Sequence, residues 1–311
     1  MAAALAQPPA RIQTTWPTRP VRIVAGFTGG SSPDLVARTL AEPLAQAWGQ
    51  PVIVENRPGA SGNIATDYIA RATDGYTLGI VINGNLTSAR MLYPKLPYDP
   101  AKDFAYLSLL VTAPLALVTQ TERPAGAAFL AAARQAGAVW NYGSVGVGSI
   151  GHLGMELLKS KAPGIAAVHI PFQGNPQVVT ALLAGQIQMA LLPPAIAAPQ
   201  LKAGKLQAIG LTSPGRSALL PGVPPLADAG VRDFDLQVWN ALLGPARLPA
   251  AARQRIGAVL APLLQAPQVR QRLFDQGWQA FGSSPEGMAE RVRQETAALQ
   301  RIITAQGIHL E

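Results

Sequence analysis

Residues Val21–Gln50 read VRIVAGFTGGSSPDLVARTLAEPLAQAWGQ, and the order of patterns in this stretch sets the fold. A β-rich apolar run is followed by a Gly/Ser/Pro break, and then by Leu35, Val36, Leu40, Leu44 and Trp48 at helical spacing. That is a strand, a tight loop and a helix. Ser32 stands where an N-cap belongs, with Pro33 at the first helical position, where a missing N–H costs nothing. Gly29 and Gly30 let the backbone turn sharply, so that N–H groups at the positive end of the helix can face one anion. Strand-to-helix turns are also Gly-rich for geometry alone, and this loop by itself leaves both readings open.

The same rhythm continues. Pro51 to Val54 is expected as a strand, ENRPGASGN as a loop and Ile64 to Ala72 as a helix; Thr77 to Ile82 is a continuous apolar run of the kind buried in parallel sheets, ended by Asn83, Gly84 and Asn85. Three such units predict a doubly wound α/β domain that binds ligands at the carboxyl ends of its strands, which puts the Gly29 and Asn83 loops on one edge. Leu96 to Asp103 is turn-rich. Ala105 to Gln120 holds two apolar runs broken at Ala113-Pro114, the second carrying the chain into another domain. There the rhythm restarts, with strands at Val139–Val145, Ala166–Pro171, Gln186–Leu192 and Gln207–Thr212 and helices at His152–Lys159 and Gln177–Ala184. Asp235 to Leu243 is a strand that crosses back. A helical tail follows with no new sheet, and Ser283 to Glu286 has capping-box spacing. The expected fold class is therefore α/β with two lobes, each a sheet flanked by helices, and two crossing segments as a hinge. Residues 16–118 and 239–311 form lobe 1, 119–238 form lobe 2, and 1–15 precede them.

Composition narrows the function. The chain has 311 residues, 49% of them hydrophobic, and no cysteine, so disulfides, thiolate nucleophiles and Cys-ligated metals are excluded. No apolar run is long enough to span a membrane. The net charge of +8 is scattered, with no basic cluster of the kind that binds nucleic acid. Ala4-Leu5-Ala6 before Gln7 is an A-x-A cleavage site, and we read residues 1–15 as the end of a signal peptide, hence export to the periplasm.

Gly146, Gly148 and Gly151 match G-x-G-x-x-G between a strand and a helix. A dinucleotide site also needs an acid at the end of the next strand, which here ends His169-Ile170-Pro171. An NAD-dependent dehydrogenase is accordingly the alternative reading, and the weaker one. What survives is a second anion-ready helix start, with Ser149 as its N-cap, and a third at Gly174-Asn175-Pro176, where Asn175 caps. No enzyme is expected: the histidines are His152, His169 and His309, with no nucleophile elbow and no H-E-x-x-H motif. His152 and Glu156, one helical turn apart, form a local pair rather than half a metal site. Asp34 completes a helix start, and Asp67 has no evident partner.

The motifs GQPVIVENRPGASGNIA (Gly49–Ala65), DGYTL (Asp74–Leu78), LPYDPAKDF (Leu96–Phe104), NYGSVGVGSIGHL (Asn141–Leu153), HIPFQG (His169–Gly174) and LKAGKLQA (Leu201–Ala208), in this order, resemble the tripartite tricarboxylate transporter receptor family, the Bug-type periplasmic solute-binding proteins. The resemblance runs over about residues 16 to 308 and implies a type II periplasmic-binding-protein fold closing on a small carboxylate, with no cofactor, no metal and no obligatory arginine. The partners it implies are the ligand, a membrane permease or else a sensor protein, and the receptor is expected to be a monomer. Carried over by position, the ligand-binding residues are Phe27, Thr28, Gly30 and Ser31; Asn83, Gly84 and Asn85; Tyr142, Gly143, Ser144, Ser149 and His152; and Phe172, Gln173 and Gly174. Two departures matter. Relatives commonly read P-P-G-G where this chain has Phe27-Thr28-Gly29-Gly30, and many carry an Asp at the position of Leu192. An apolar Leu192 at the site implies a ligand without an ammonium group. Arg90, where relatives often have proline, is expected on a solvated helix face.

Overall fold

The structure is a computed structural model and describes residues 16–308. Through the first crossing the elements run β1 (Val21–Ala25), α1 (Ser32–Trp48), β2 (Val52–Asn56), α2 (Asn63–Arg71), β3 (Thr77–Ile82), the one-turn helices α3 (Asn83–Leu86) and α4 (Ala89–Leu92), and β4 (Phe104–Pro114). Next come β5 (Ala116–Gln120), α5 (Gly126–Ala136), β6 (Asn141–Ser144), α6 (Ile150–Lys161), β7 (Val168–Pro171), α7 (Asn175–Leu183), β8 (Met189–Leu192), α8 (Pro194–Lys202) and β9 (Leu206–Leu211). The chain returns through β10 (Gln237–Pro245) and ends in α9 (Ala250–Gln265), α10 (Pro267–Asp275), β11 (Gln279–Ala280) and α11 (Pro285–Ala305).

These strands form a six-stranded sheet in the order β11-β4-β10-β3-β1-β2 and a five-stranded sheet in the order β7-β6-β8-β5-β9. We call the part of the chain built on each sheet a lobe. Both sheets follow one plan. β1, β2 and β3 are parallel, and β10, arriving from the other lobe, lies antiparallel to β3 and β4. In the second sheet β6 is parallel to β7 and β8, and the incoming β5 is antiparallel to β8 and β9. The sheets are thus mixed where the opening units suggested parallel strands only. The expected boundaries at 118 and 238 fall inside strands: Ala116–Val118 pair in the second sheet and Gln237–Val238 in the first.

Only Leu115 separates β4 from β5. Its N–H donates to Thr212 Oγ1 at 2.8 Å, and that hydroxyl donates to the Leu236 carbonyl at 2.6 Å. One buried threonine therefore ties both crossing segments together. An apolar cluster runs from Leu40, Leu44 and Ile80 in the first lobe through Leu110, Leu115 and Leu117 to Tyr142, Met155 and Leu158 in the second.

Several local expectations shift, each for a tertiary reason. Ser31 rather than Ser32 is the N-cap residue of α1, and Gly174 rather than Asn175 precedes α7. Asn83–Asn85 form a buried helical turn instead of a loop, because Asn85 Oδ1 accepts from the Ile82 N–H and Asn83 Nδ2 donates to the Gln237 carbonyl. Ser284 caps α11 by accepting from Gly287 N, while Ser283 Oγ accepts from Leu109 N. The C-terminal helices do add a strand, since β11 pairs with the edge of β4. The expected signal-peptide remnant and His309 lie outside the described residues.

Candidate functional site

A cavity of about 270 Å³ lies between the lobes, walled by four segments and one ring. Lobe 1 contributes Phe27, Gly59–Gly62 and Tyr93; lobe 2 contributes Val145–Val147 and Pro171–Gln173. Three of these segments lead directly into helices, α2 from lobe 1 and α6 and α7 from lobe 2, while Phe27 lies on the loop five residues before α1. Helix N-termini from both lobes therefore border one space, and each carries the positive end of a helix dipole.

The lining bears no charged side chain among the described residues. Backbone groups supply its polarity instead. The N–H groups of Ala60, Ser61, Val147 and Gln173 have no hydrogen-bond partner among the described residues, although all four residues line the cavity. Ala60 and Gln173 are exposed and Ser61 and Val147 half-buried, so these donors face solvent and are open to an acceptor that enters the cavity. The Ser61 and Tyr93 hydroxyls, 2.8 Å apart, add polar groups that can turn towards a ligand.

On either side of the cavity the lobes touch. Ser31 Oγ accepts from Asn175 N at 3.1 Å, Asn175 Oδ1 accepts from Ser32 N at 3.4 Å, and Thr28 N donates to the Gln173 carbonyl at 3.4 Å. Ser88 Oγ donates to the Gly148 carbonyl at 2.6 Å and Tyr93 Oη to the Val147 carbonyl at 3.2 Å. The fit depends on glycine: a Cβ on Gly84 would sit 2.7 Å from the Gly148 carbonyl oxygen, and one on Gly174 would overlap the Thr28 and Ser31 hydroxyls. The lobes are closed on one another.

Behind the Val145–Val147 loop stands a buried polar scaffold. Gly148 N–H, necessarily a donor, lies 3.2 Å from His152 Nδ1, which fixes that nitrogen as an acceptor and the neutral ring as the Nε2–H tautomer. Ser144 Oγ accepts from Gly146 N and lies 2.7 Å from His169 Nε2, while Ser149 Oγ donates to the Gly146 carbonyl. The two imidazoles stack with centroids 4.2 Å apart, and Tyr142 stacks on His169 at 4.9 Å. Burial lowers the His152 pKa to about 4 and, with the neighbouring imidazole, that of His169 to about 3, so both rings are neutral near pH 7.

Of the anticipated ligand residues, Phe27, Phe172 and Gln173 line the cavity. Thr28, Ser31 and Gly174 form the seam between lobes. Gly30 does not offer its N–H to a ligand, because Asp34 Oδ2 accepts it at 2.8 Å. Burial raises the Asp34 pKa, but bonds from Arg38 and Gly30 outweigh it and hold the carboxyl below its usual range. Tyr142, Gly143, Ser144, Ser149 and His152 support the loop from behind, and Asn83, Gly84 and Asn85 are buried in the first lobe. Leu192 is also off the cavity, packed with Ala116, Ile196 and Leu211, so it cannot select against an ammonium group by contact. Arg90 is exposed and pairs with Asp99 at 2.7 Å. Absent from the anticipated set were Gly59–Gly62, Tyr93, Val145–Val147 and Pro171, although the loop at Gly146 was expected as an anion-ready helix start. The Gly-Ala-Ser-Gly break before α2 carried the same signal as the other three loops, whereas nothing local marks Tyr93.

Comparison with known proteins agrees with this fold. The family model for the tripartite tricarboxylate transporter family receptor matches residues 36–308. The R. palustris protein Rpa4515, solved with adipate, is 30% identical with a TM-score of 0.91, over 95% of this chain and 100% of that one. MatC (Rpa3494) from Rhodopseudomonas palustris, solved with bound malate, is 29% identical with a TM-score of 0.87, over 93% of this chain and 100% of that one. The periplasmic binding protein BugD is 26% identical with a TM-score of 0.89, over 95% and 100%. With two α/β lobes closed on a cavity edged by helix N-termini, and a family match over most of its length, this chain belongs to the tripartite tricarboxylate transporter receptor family.

Proposed function

We propose that this protein is an exported receptor that captures a small organic carboxylate between its lobes and presents it to the membrane permease of a tripartite transporter, without acting on it chemically. The observation that carries the reading is the set of unpartnered N–H groups at Ala60, Ser61, Val147 and Gln173, two from each lobe, around one small cavity. Uncharged donors at helix termini suffice for an anion. Because each lobe supplies part of the set, ligand binding favours the closed state over the open one, and closure is what a permease can read. The adipate and malate found in structures of relatives are both dicarboxylates, of the size this cavity holds. With no acidic side chain among the lining residues, an ammonium group would find no counter-charge, so plain carboxylates are favoured over zwitterions.

A thermal-shift screen of mono-, di- and tricarboxylates, aromatic acids, amino acids and NAD(H) tests this. Stabilisation by one group of carboxylates and by none of the others is the expected outcome. A response to NAD(H) alone would point instead to the Gly146 loop as a dinucleotide site. Loss of uptake of the bound acid on deletion of the gene would establish the permease as partner.

A further inference from the structure

The Gly148 peptide is held from both lobes. Its N–H donates to His152 Nδ1 at 3.2 Å, and its carbonyl accepts from Ser88 Oγ of lobe 1 at 2.6 Å. The residue before it is placed in the same way. Val147 lines the cavity with an N–H that has no partner among the described residues, and its carbonyl accepts from Tyr93 Oη of lobe 1 at 3.2 Å. The contact is close, since a Cβ on Gly84 would sit 2.7 Å from the Gly148 carbonyl oxygen. A turn of the Gly148 peptide therefore disturbs two interlobe bonds and one cavity donor together.

One buried ring sets the position of that peptide. His152 is neutral when its Nδ1 accepts from Gly148 N–H; a protonated imidazole has two donors, so Nδ1–H would then face N–H. The surroundings oppose the proton as well. His169 stacks on the ring from β7, with Tyr142 of β6 beyond it, and Lys159 stands two turns along α6. Glu156, the one acid of α6, favours the charged ring only in part, because Tyr142 Oη and Lys159 Nζ already donate to it. On α11, which packs against α6, the buried Glu295 is taken by Asn83, Trp239 and Arg291. Lobe 1 brings the uncharged Ser88 and Gly84 to the Gly148 carbonyl. The closed molecule thus keeps this ring neutral, consistent with a pKa that burial lowers to about 4. When the lobes part, the Gly148 peptide is free to turn away and the ring can take up a proton.

We propose that His152 is a positioning residue that couples closure of the lobes to a proton: the neutral ring holds the Gly146–Ser149 loop against lobe 1, and its protonation turns the Gly148 peptide away, breaks the contacts with Ser88 and Tyr93 and lets the bound anion go. Acid therefore empties the receptor. That the anion is a carboxylate rests on the reading above, whereas the coupling itself does not.

Two measurements on the full chain test it, each with wild type, His152→Asn and His152→Ala, and circular dichroism checks that the variants fold. The Asn amide oxygen can accept from Gly148 N–H without titrating, and Ala offers no acceptor. In the first, adipate and malate are titrated calorimetrically at pH 7.5 and pH 5.0. Between these values wild type should lose about tenfold more affinity than either variant, whose losses report only the ionisation of the acids themselves. The second uses no ligand: nuclear magnetic resonance follows the His152 ring and the Val147, Gly148 and Ser88 amides from pH 7.5 to 4.0. All three amides should shift with the midpoint of the ring in wild type, and the Ser88 amide, across the gap between lobes, should stay still in His152→Asn. Equal loss of affinity in wild type and variants, or titration of the ring without movement at Ser88, would overturn the proposal. If neither acid binds to wild type at pH 7.5, the carboxylate reading loses its support and the Ser88 amide alone decides this inference.

Discussion

In the loop from Gly146 to Ser149 the left-handed positions fall on Gly146 and Gly148, whereas in the loop from Gly59 to Gly62 they include Ala60 and Ser61. The first loop is pinned by Ser144, Ser149 and His152. The second is held through the Ser61 hydroxyl on Tyr93 and the Ser61 carbonyl, which accepts from Asn85 Nδ2 at 2.9 Å. Both loops end at a helix start and both border the cavity, yet one places its left-handed positions on glycines and the other partly on residues that carry a Cβ. On the carboxylate reading proposed above, the relaxed loop and the strained one each contribute N–H groups to the same anion.

The contrast can be broken most severely at Gly146. Its φ of 120° is outside what a β-branched residue adopts, and a Cβ there would overlap Ser61. Gly146→Val is expected to lower carboxylate affinity by about a hundredfold or more, with the fold retained by circular dichroism. His152→Ala removes the acceptor of Gly148 N–H and leaves a buried donor unpaired, which should cost about 1–3 kcal/mol in denaturant unfolding.

The braced loop should also respond to acid. A histidine whose folded-state pKa lies below its unfolded value contributes stability above the unfolded value, and that contribution is lost as the pH falls towards the folded one. For His152 the window runs from pH 6.5 down to about 4, with His169, Glu156 and Lys159 as its charged or titratable neighbours. The melting temperature should fall across that window, and less steeply in His152→Ala. Tyr93→Phe deletes the hydroxyl that meets Ser61 and Val147, and calorimetry should show affinity reduced about fivefold, near 1 kcal/mol. Ala60→Gly is the mildest change. It relieves the φ of 46° but loosens the unfolded chain, so stability should shift by less than about 1 kcal/mol.

The elements with strong periodicity were legible in the sequence. The apolar run Thr77–Ile82 is β3, and the strand–glycine–helix order at Val21–Gln50 gave β1 and α1. Cap positions were less so, because adjacent Ser31 and Ser32 are chemically alike and only the turn at Gly30, with φ 80°, decides between them. The idea of an anion cradle was legible too, but its members were not. Whether a given N–H is free depends on which side chain reaches it: Asp34 takes Gly30 and His152 takes Gly148, while Ala60 and Val147 are left over. Leu192 was placed at the site because many relatives carry an Asp at that position, yet β8 pairs with β5 and turns this residue into the core beneath α8.

The central claim is that backbone N–H groups from both lobes hold the carboxylate without help from a charged side chain. Its most direct test is a calorimetric titration of the tightest-binding acid from the thermal-shift screen beside the primary amide of the same acid. The account predicts one-to-one binding of the acid and at least about a hundredfold weaker binding of the amide, since charge-assisted bonds are the stronger ones and an amide NH₂ meets only donors. Equal affinity for acid and amide would contradict it.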